Sequence, residues 1–265
     1  YGDYYDYTTA VPDIFIGNDV ILGDNGLLDF ASGLDTNLDT LDLIHSEPYA
    51  VTDWSTEPPT LDKNTILGGT DIIDGSFGYD VLIGGVGGDT MYGDDETASN
   101  ADDDGEDIML GDNADIFLIG TEGRLLVQVA AMTVGTAVDL ITTTDTEDVT
   151  GGADTMSGNA KADIMFGGVN NGGEDTMYGD RSAPNATTIA NDGDDILVGD
   201  NGLLDFTFGG DESGLDRQTL DLIRSLEDKL GGKDVISGNK GLDVAIGGTG
   251  GDEIYGDDAN ASAAA

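Results

Sequence analysis

The sequence predicts an all-β fold that is built from repeated short strands. The first observation is a long period, because a phrase ending in Gly-Asp-Asn begins at Asp19, Asp107 and Asp195, 88 residues apart each time. The second is a nine-residue period inside each long unit, in which glycines precede one Asp and one apolar residue. The third is an alternation of apolar and polar residues between these segments, which is typical of half-buried strands.

The long period divides the chain into three units, which we expect at 1–94, 95–180 and 181–265 within one continuous array. The phrase Tyr-Gly-Asp supports these boundaries, since it opens the chain at Tyr1 and returns at Tyr92, Tyr178 and Tyr255. We therefore expect the chain to begin and end close to unit boundaries.

The charge balance limits the partners of this chain. Of 265 residues, 54 are Asp or Glu and 9 are Lys or Arg, which gives a formal net charge of −45. Such a chain is either disordered or folded with metal ions as counter-charge, and the regular spacing favours the second. The lack of basic patches argues against nucleic acid binding, and no apolar run is long enough to predict a membrane span. With no Cys in the chain, disulfides and thiolate metal sites are excluded.

Two of the nine-residue segments carry a clear motif. Residues 84–92 read Gly-Gly-Val-Gly-Gly-Asp-Thr-Met-Tyr, and residues 247–255 read Gly-Gly-Thr-Gly-Gly-Asp-Glu-Ile-Tyr. They resemble the nonapeptide of RTX, or haemolysin-type, calcium-binding repeat proteins, and the whole chain is similar to long-repeat segments of giant secreted adhesin-like members. The resemblance implies a right-handed parallel β-roll or β-solenoid, in which successive nonapeptides alternate sides and calcium sits between stacked turns.

The core of the motif, Asp-x-apolar-x behind a Gly or small polar residue, occurs four times in each unit. Calcium prefers six to eight hard oxygen ligands, which an Asp carboxylate and the carbonyls of a glycine-rich turn can supply. We therefore predict multiple calcium ions and one strand per motif, stacked in about six coils over roughly 29 Å. The predicted ligands are Asp19, Asp71, Asp80, Asp89, Asp107, Asp154, Asp163, Asp175, Asp195, Asp234, Asp243 and Asp252.

The apolar residue of each motif is expected to point inward. A single column from each side makes a core too thin to outweigh chain entropy, so we expect folding to be coupled to calcium binding. The inward residues are predicted to be Ile21, Ile73, Leu82, Met91, Met109, Met156, Met165, Met177, Leu197, Ile236, Ala245 and Ile254.

A second set of aspartates recurs directly after a glycine. Their repetition indicates either calcium ligation or turn capping, and the sequence leaves both roles open. The set comprises Asp24, Asp112 and Asp200 in Gly-Asp-Asn, and Asp94, Asp180 and Asp257 in Tyr-Gly-Asp. The asparagines Asn25, Asn113 and Asn201 are expected at turn positions with positive φ.

Long insertions interrupt the motifs at about 26–67, 114–150 and 202–230. Each contains β-like runs, such as residues 26–30 with 41–44 and residues 202–206 with 220–223. We interpret each insertion as a β-hairpin that leaves the array and returns to it. A short helix at residues 215–226 is the competing interpretation for the third.

The sequence predicts that this chain is not an enzyme. It contains neither His-Glu-x-x-His nor Gly-x-Ser-x-Gly, and the single histidine, His45, is expected at the surface or in packing. Trp54, in the longest insertion beside Pro58 and Pro59, is expected to anchor a loop, with a binding hot spot as the alternative.

The leading interpretation is an extracellular structural protein, part of an adhesin, a surface layer or a filament. The resemblance implies type I secretion and folding outside the cell, where calcium is available. Head-to-tail self-association and continuation in a longer chain are both open. The alternatives are a calcium-dependent secretion and folding tail of an RTX enzyme or toxin, and an ice-binding solenoid, for which the needed rows of Thr are missing.

Overall fold

The computed structural model describes residues 19–29, 41–53, 60–94, 105–118, 138–180, 193–206, 220–226 and 229–256. Within these ranges the protein is all-β, with twenty strands and one 3-10 turn at Asp148–Thr150. The described part of the chain contains no helix with the length and apolar character that crossing a bilayer requires. The predicted fold class is therefore confirmed at the level of an all-β protein.

All twelve Asp-x-apolar-x motifs form strands, and each strand begins directly after its Asp. They are mostly three residues long, because a turn rich in glycine follows. They are β1 (Val20–Leu22), β6 (Ile72–Ser76), β7 (Val81–Ile83), β8 (Thr90–Asp94), β9 (Ile108–Leu110), β12 (Thr155–Ser157), β13 (Ile164–Phe166), β14 (Thr176–Tyr178), β15 (Ile196–Val198), β18 (Val235–Ser237), β19 (Val244–Ile246) and β20 (Glu253–Tyr255). The predicted strand positions are confirmed.

These strands form two parallel six-stranded sheets. The inner sheet has the order β1-β7-β9-β13-β15-β19, and the outer sheet has the order β6-β8-β12-β14-β18-β20. From β6 to β9, and again from β12 to β15, the chain alternates between the two sheets. The register pairs the middle residues of neighbouring strands, as in Met165 with Leu197 and Met156 with Met177.

The middle residues of both sheets form one apolar core. Nine of them are buried: Ile73, Leu82, Met91, Met109, Met156, Met165, Met177, Leu197 and Ile236. Ile21 and Ala245, on the outermost strands of the inner sheet, are partly buried against this cluster. Ile254 pairs with Ile236 and so lies at the same inward position, but it is 45% exposed because it lies on the last strand of the outer sheet.

The insertions form hairpins, as predicted, and the hairpins join into a third sheet. Its strands are β2 (Gly26–Asp29), β3 (Leu43–Ser46), β10 (Ala114–Leu118), β11 (Val138–Thr143), β16 (Gly202–Asp205) and β17 (Leu222–Ser225). All neighbours in this hairpin sheet are antiparallel, in the order β17-β16-β11-β10-β3-β2. The helix alternative is therefore wrong for 222–225, and residues 215–219 lie outside the described residues.

The hairpin sheet covers the second face of the inner sheet. Residues that flank the middle position, such as Val81, Ile83 and Phe166, pack there against Ile44, Ile116 and other hairpin residues. Strands β7, β9 and β13 are therefore buried on both faces, which explains why each is apolar at all three positions. Within the described residues, these three sheets form three layers with a core between each neighbouring pair.

The first unit carries one further hairpin. It consists of β4 (Tyr49–Asp53) and β5 (Thr60–Ile66), which pair antiparallel. Its connecting residues 54–59, which include Trp54, Pro58 and Pro59, lie outside the described residues, so the role predicted for Trp54 stays a prediction.

Each unit adds two strands to each of the three sheets. The inner sheet receives β1 and β7, then β9 and β13, then β15 and β19, and the other two sheets grow in the same steps. With neighbouring strands about 4.8 Å apart, each unit lengthens every sheet by about 9.6 Å. The three sheets therefore stay in step from one unit to the next.

The methionine column between the inner and outer sheets predicts a large loss of stability on truncation. Met165→Ala should lower the free energy of unfolding by about 2–5 kcal/mol, because Met165 is fully buried and a cavity would remain. Leu242→Ala, at a residue that is 83% exposed, should change it by less than about 0.5 kcal/mol. Urea unfolding followed by circular dichroism measures both, and equal effects would contradict the assignment of this core.

Candidate metal centre

The twelve predicted ligand aspartates form two rows. Each row lies at the N-terminal ends of the strands of one parallel sheet. The inner row contains Asp19, Asp80, Asp107, Asp163, Asp195 and Asp243, and the outer row contains Asp71, Asp89, Asp154, Asp175, Asp234 and Asp252. Parallel pairing in register stacks each Asp on the one before it. The structure therefore brings together residues that are far apart in the sequence.

Hydrogen bonds connect each row into a ladder. The backbone N–H of Asp107 donates to Oδ1 of Asp163 at 2.8 Å, and the N–H of Asp163 donates to Oδ1 of Asp195 at 2.9 Å. The same bond recurs at each step of both rows, with N···O distances from 2.7 to 3.3 Å. One carboxylate oxygen of each Asp beyond the first is thus used to position the row.

The second carboxylate oxygen has a different environment. Oδ2 is buried and accepts no hydrogen bond within the described residues in Asp89, Asp154, Asp163, Asp175, Asp195 and Asp234. A buried anionic oxygen without a partner is costly, since it has lost water and gained no donor. A cation beside these six oxygens would supply the partner that the described residues do not.

Main-chain carbonyls lie beside these oxygens. A Cβ added to Gly84 would collide with Oδ2 of Asp89 and with the carbonyl oxygen of Gly111, the stacked glycine of the next coil. Gly167 has the same surroundings, formed by Oδ2 of Asp175 and the carbonyl of Gly199. The turn thus holds a carboxylate and a carbonyl oxygen close together, and glycine leaves the space open.

The backbone of the turns requires glycine at particular positions. Gly85 and Gly248 follow the strand-ending glycine and have φ of 103° and 96°, a region that residues with a Cβ rarely adopt. These turns therefore depend on the Gly-Gly pairs that the nonapeptide supplies.

Burial and repulsion from neighbouring carboxylates raise the pKa values of the six row aspartates whose Oδ2 accepts no hydrogen bond. Burial raises the pKa of Asp89 to about 7, and burial with repulsion from Asp180 and Asp243 raises that of Asp195 to about 9. The pKa of Asp163 is raised by burial and by the carboxylates of Asp107 and Asp195. These carboxylates therefore disfavour their ionised state when protein groups alone surround them.

The donor set fits a hard divalent cation. No three Asp, Glu or His side chains in the described ranges come together as a side-chain metal cluster. Calcium, however, accepts backbone carbonyls as readily as carboxylates, and the turns offer both. A site here would use one or two row carboxylates with glycine carbonyls.

The second set of aspartates caps turns. Both carboxylate oxygens of Asp112 accept backbone N–H groups, from Gly152 and from Val169, and those of Asp180 accept from Gly193 and Lys240. Asp200 does the same with Gly232 and Thr249, and Asp24 and Asp94 each accept a backbone N–H at one oxygen, from Val86 and Gly105. Between the two roles left open by the sequence, the hydrogen bonds support capping, and calcium ligation by these residues stays a prediction. Asp257 lies outside the described residues.

The asparagine prediction is wrong. Asn25, Asn113 and Asn201 do not have positive φ; Asn159 and Asn239, which follow a strand-ending glycine, do, with φ of 76° and 67°. In the first group each Asn carbonyl accepts a backbone N–H, from Glu47, Thr144 or Leu226, and this bond closes the base of a hairpin.

The asparagines contact a residue that the sequence did not single out. Asn113 donates its backbone N–H to Asp145 at 2.8 Å, and the Asn201 side chain donates to the Asp145 carbonyl at 2.9 Å. Asp145 is buried, and burial raises its pKa to about 6. It lies outside every repeated motif, so no periodic signal marks it.

His45 bridges two units within the hairpin sheet. Its Nδ1 contacts Oδ1 of Asp115 on β10, the residue opposite it in the sheet, and its Nε2 lies 3.6 Å from Glu47. Burial lowers the His45 pKa, but hydrogen bonds and charges of Asp115 and Glu47 outweigh burial and raise it to about 9. His45 is thus a cationic residue packed within the hairpin sheet. Packing is one of the two roles that the sequence predicts for it.

Comparison with family models, with curated proteins and with solved structures found no match to this chain. The assignment of a site therefore depends on the rows of aspartates and their glycine turns.

The His45 pKa predicts a pH-dependent contribution to stability. Because the folded-state pKa is raised from 6.5 to about 9, the contribution is complete below pH 6.5 and is lost as the pH rises through 9. His45→Gln should lower the free energy of unfolding by about 1 kcal/mol at pH 6 and by much less at pH 10. Urea unfolding of wild type and variant at both pH values measures this difference.

Lys229→Gln is the matched control, because it removes one positive charge from an exposed residue outside the hairpin sheet. It should leave stability nearly unchanged at both pH values. A His45→Gln effect that is independent of pH would contradict the ion-pair assignment.

Proposed function

We propose that this chain is an extracellular calcium-binding structural protein that folds when calcium occupies the aspartate rows and then forms a rigid rod. The observation that carries the proposal is the set of six buried Oδ2 atoms that accept no hydrogen bond within the described residues. They repeat at regular intervals beside glycine carbonyls, so one kind of ligand would satisfy all of them. A hard divalent cation has the required charge and ligand preference.

The proposed architecture is a right-handed parallel β-roll of the RTX type. Its support is the alternation of consecutive nonapeptide strands between two parallel sheets, together with the shared core of their middle residues. In such a roll the turns of one side stack along the axis, which is where the rows of Asp lie. The hairpin sheet would be an addition to the roll that thickens it on one face.

The proposed dependence on calcium follows from the charge of the rows. An Asp such as Asp163 has a buried carboxylate between two others, at Asp107 and Asp195, so the metal-free fold carries uncompensated repulsion. Calcium that binds the folded state alone would stabilise it by mass action. The chain would remain unfolded at low cytosolic calcium and fold after secretion, where calcium is plentiful.

The structural role is supported by the extent of the repeat. All the strands in the described residues belong to the two parallel sheets, the hairpin sheet or the β4–β5 hairpin. A rod of this kind suits an adhesin stalk, a surface layer or a filament. No catalytic role is proposed for any residue.

Chelation gives the direct test of the proposal. Circular dichroism of the chain in excess chelator should show little β signal, and millimolar calcium should restore it. Millimolar magnesium should be a poor substitute, because magnesium demands a small octahedral site and releases water reluctantly. A chain that is equally folded in chelator and in calcium would overturn the proposal.

Substitution of one row residue should affect the two states in opposite directions. Asp163→Asn keeps the shape of the side chain and removes a buried charge, so it should stabilise the metal-free fold. It should also raise the calcium concentration at the folding midpoint by about tenfold or more, equivalent to about 1.4 kcal/mol, through loss of a ligand oxygen.

Calcium titrations monitored by circular dichroism measure both effects. The β signal before calcium is added reports the metal-free fold, and the titration gives the calcium concentration at the folding midpoint. The matched control is Asp148→Asn, at an exposed position of the 3-10 turn, which should leave the midpoint unchanged. If Asp163→Asn shifted the midpoint no more than the control, the row would not be the calcium site.

A further inference from the structure

We infer that the third-unit end of the array binds the first unit of a second copy of this chain, so that all three sheets continue across the contact. The inference rests on the proposed rod function and adds its partner, the contact surface and the register. Its basis is a pairing that the chain already uses twice within itself.

The two internal unit junctions are built alike. At the first, β7 pairs with β9, β8 with β12 and β3 with β10. At the second, β13 pairs with β15, β14 with β18 and β11 with β16. Each junction thus joins one strand pair in every sheet, parallel in the inner and outer sheets and antiparallel in the hairpin sheet.

The outermost strands can make the same three pairs with a second copy. By the same rule β19 would pair with β1 of the copy, β20 with its β6 and β17 with its β2. The internal registers then place Ala245 beside Ile21 of the copy, Ile254 beside its Ile73 and Ile223 beside its Leu28. Because each sheet grows by two strands per unit, no sheet falls out of step at this contact.

Exposure at the third-unit end fits a covered surface. Val244 on β19 is 43% exposed, whereas its equivalents Val81 and Ile164, at the two internal junctions, are 3% and 2% exposed. Ile254 on β20 is 45% exposed, whereas Met91 at the equivalent position is fully buried. The residue types at this end are those that internal junctions bury.

The first-unit end shows the matching pattern. Leu28 on β2 is 40% exposed, while its equivalents Ile116 and Leu204 on β10 and β16 are fully buried beneath a neighbouring hairpin. In the proposed contact, β17 of a second copy would be the neighbouring strand that covers Leu28. The two ends are therefore complementary to each other and not to themselves.

The charges make the contact dependent on a cation. Continuing the outer ladder would place the N–H of Asp252 against the Asp71 carboxylate of the copy, as the N–H of Asp175 lies against Asp234 inside the chain. Two acidic ends would then meet, and a bound divalent cation would offset their repulsion. Because the surfaces differ, the association is head-to-tail and stays open to further copies.

Sedimentation velocity of the full chain in millimolar calcium tests the inference. The weight-average mass should rise with protein concentration beyond that of a dimer, and chelator should abolish the rise. Electron microscopy of the same samples should show filaments with an axial repeat of about 29 Å per chain, from six strands at about 4.8 Å.

Two single substitutions should each block one end. Val244→Lys places a charge on the third-unit surface, and Leu28→Lys places one on the first-unit surface. Either variant alone should be monomeric in calcium, since every contact needs one intact surface of each kind. An equimolar mixture should form a dimer and no larger species. Val149→Lys, at an exposed position of the middle unit, should assemble like wild type.

The outcomes separate this inference from the proposed function. If wild type folds with calcium yet remains monomeric at every concentration, the end-to-end contact is wrong and the calcium proposal stands. If calcium induces no folding, the proposed function fails first. Circular dichroism in calcium shows whether each variant is folded. If a folded variant still assembles alone, or if the mixture of the two folded variants forms no dimer, the assigned surfaces are wrong. The filament repeat of wild type decides the matter if a variant does not fold.

Discussion

Repulsion between stacked carboxylates is the constraint on which the rest of the structure depends. In-register parallel pairing places neighbouring aspartates of a row about 4.8 Å apart. At an effective dielectric constant of about 20, two full charges at that distance repel by about 3–4 kcal/mol. The two rows contain ten such neighbouring pairs, five in each row. This repulsion opposes full ionisation of the rows, and bound cations or protonation of some carboxylates would relieve it.

The same ladder also explains why Asp is required at the start of each strand. Its Oδ1 accepts the N–H of the stacked Asp in the previous coil, and its short side chain leaves Oδ2 beside the glycine turn that precedes it. A longer Glu would carry the carboxylate past both positions. A neutral Asn could keep the hydrogen bond but would supply no charge for a cation. Stacking and the proposed ion binding thus select the same residue.

The sequence was sufficient for the two parallel sheets because the strand signal is local. Each motif contains its Asp, its inward apolar residue and its turn glycines, so a nine-residue period locates all three. The hairpins could also be predicted, from alternation within each insertion. Their union into a third sheet could not, because β3–β10 and β11–β16 pairing depends on how far one unit rises above the next. Asp145 was missed for a related reason: it contacts Asn113 across the base of its own hairpin and Asn201 of the next unit, and neither contact leaves a local pattern in the sequence.

Each insertion adds two strands to the hairpin sheet, which matches the two strands that each unit adds to the inner sheet. This match explains how the insertions can differ in length. The hairpin ends pair as Gly26 with Ser46 and Gly202 with Ser225, and the second insertion pairs Ala114 with Thr143 over a longer connection. All three nevertheless contribute two strands to the hairpin sheet. Loop length costs little in entropy, since closure varies only with the logarithm of length. A change from two strands to one or three would instead shift the hairpin sheet by about 4.8 Å against the inner sheet and expose one of its cores. Strand number per unit, and not unit length, is therefore the quantity that this architecture must conserve.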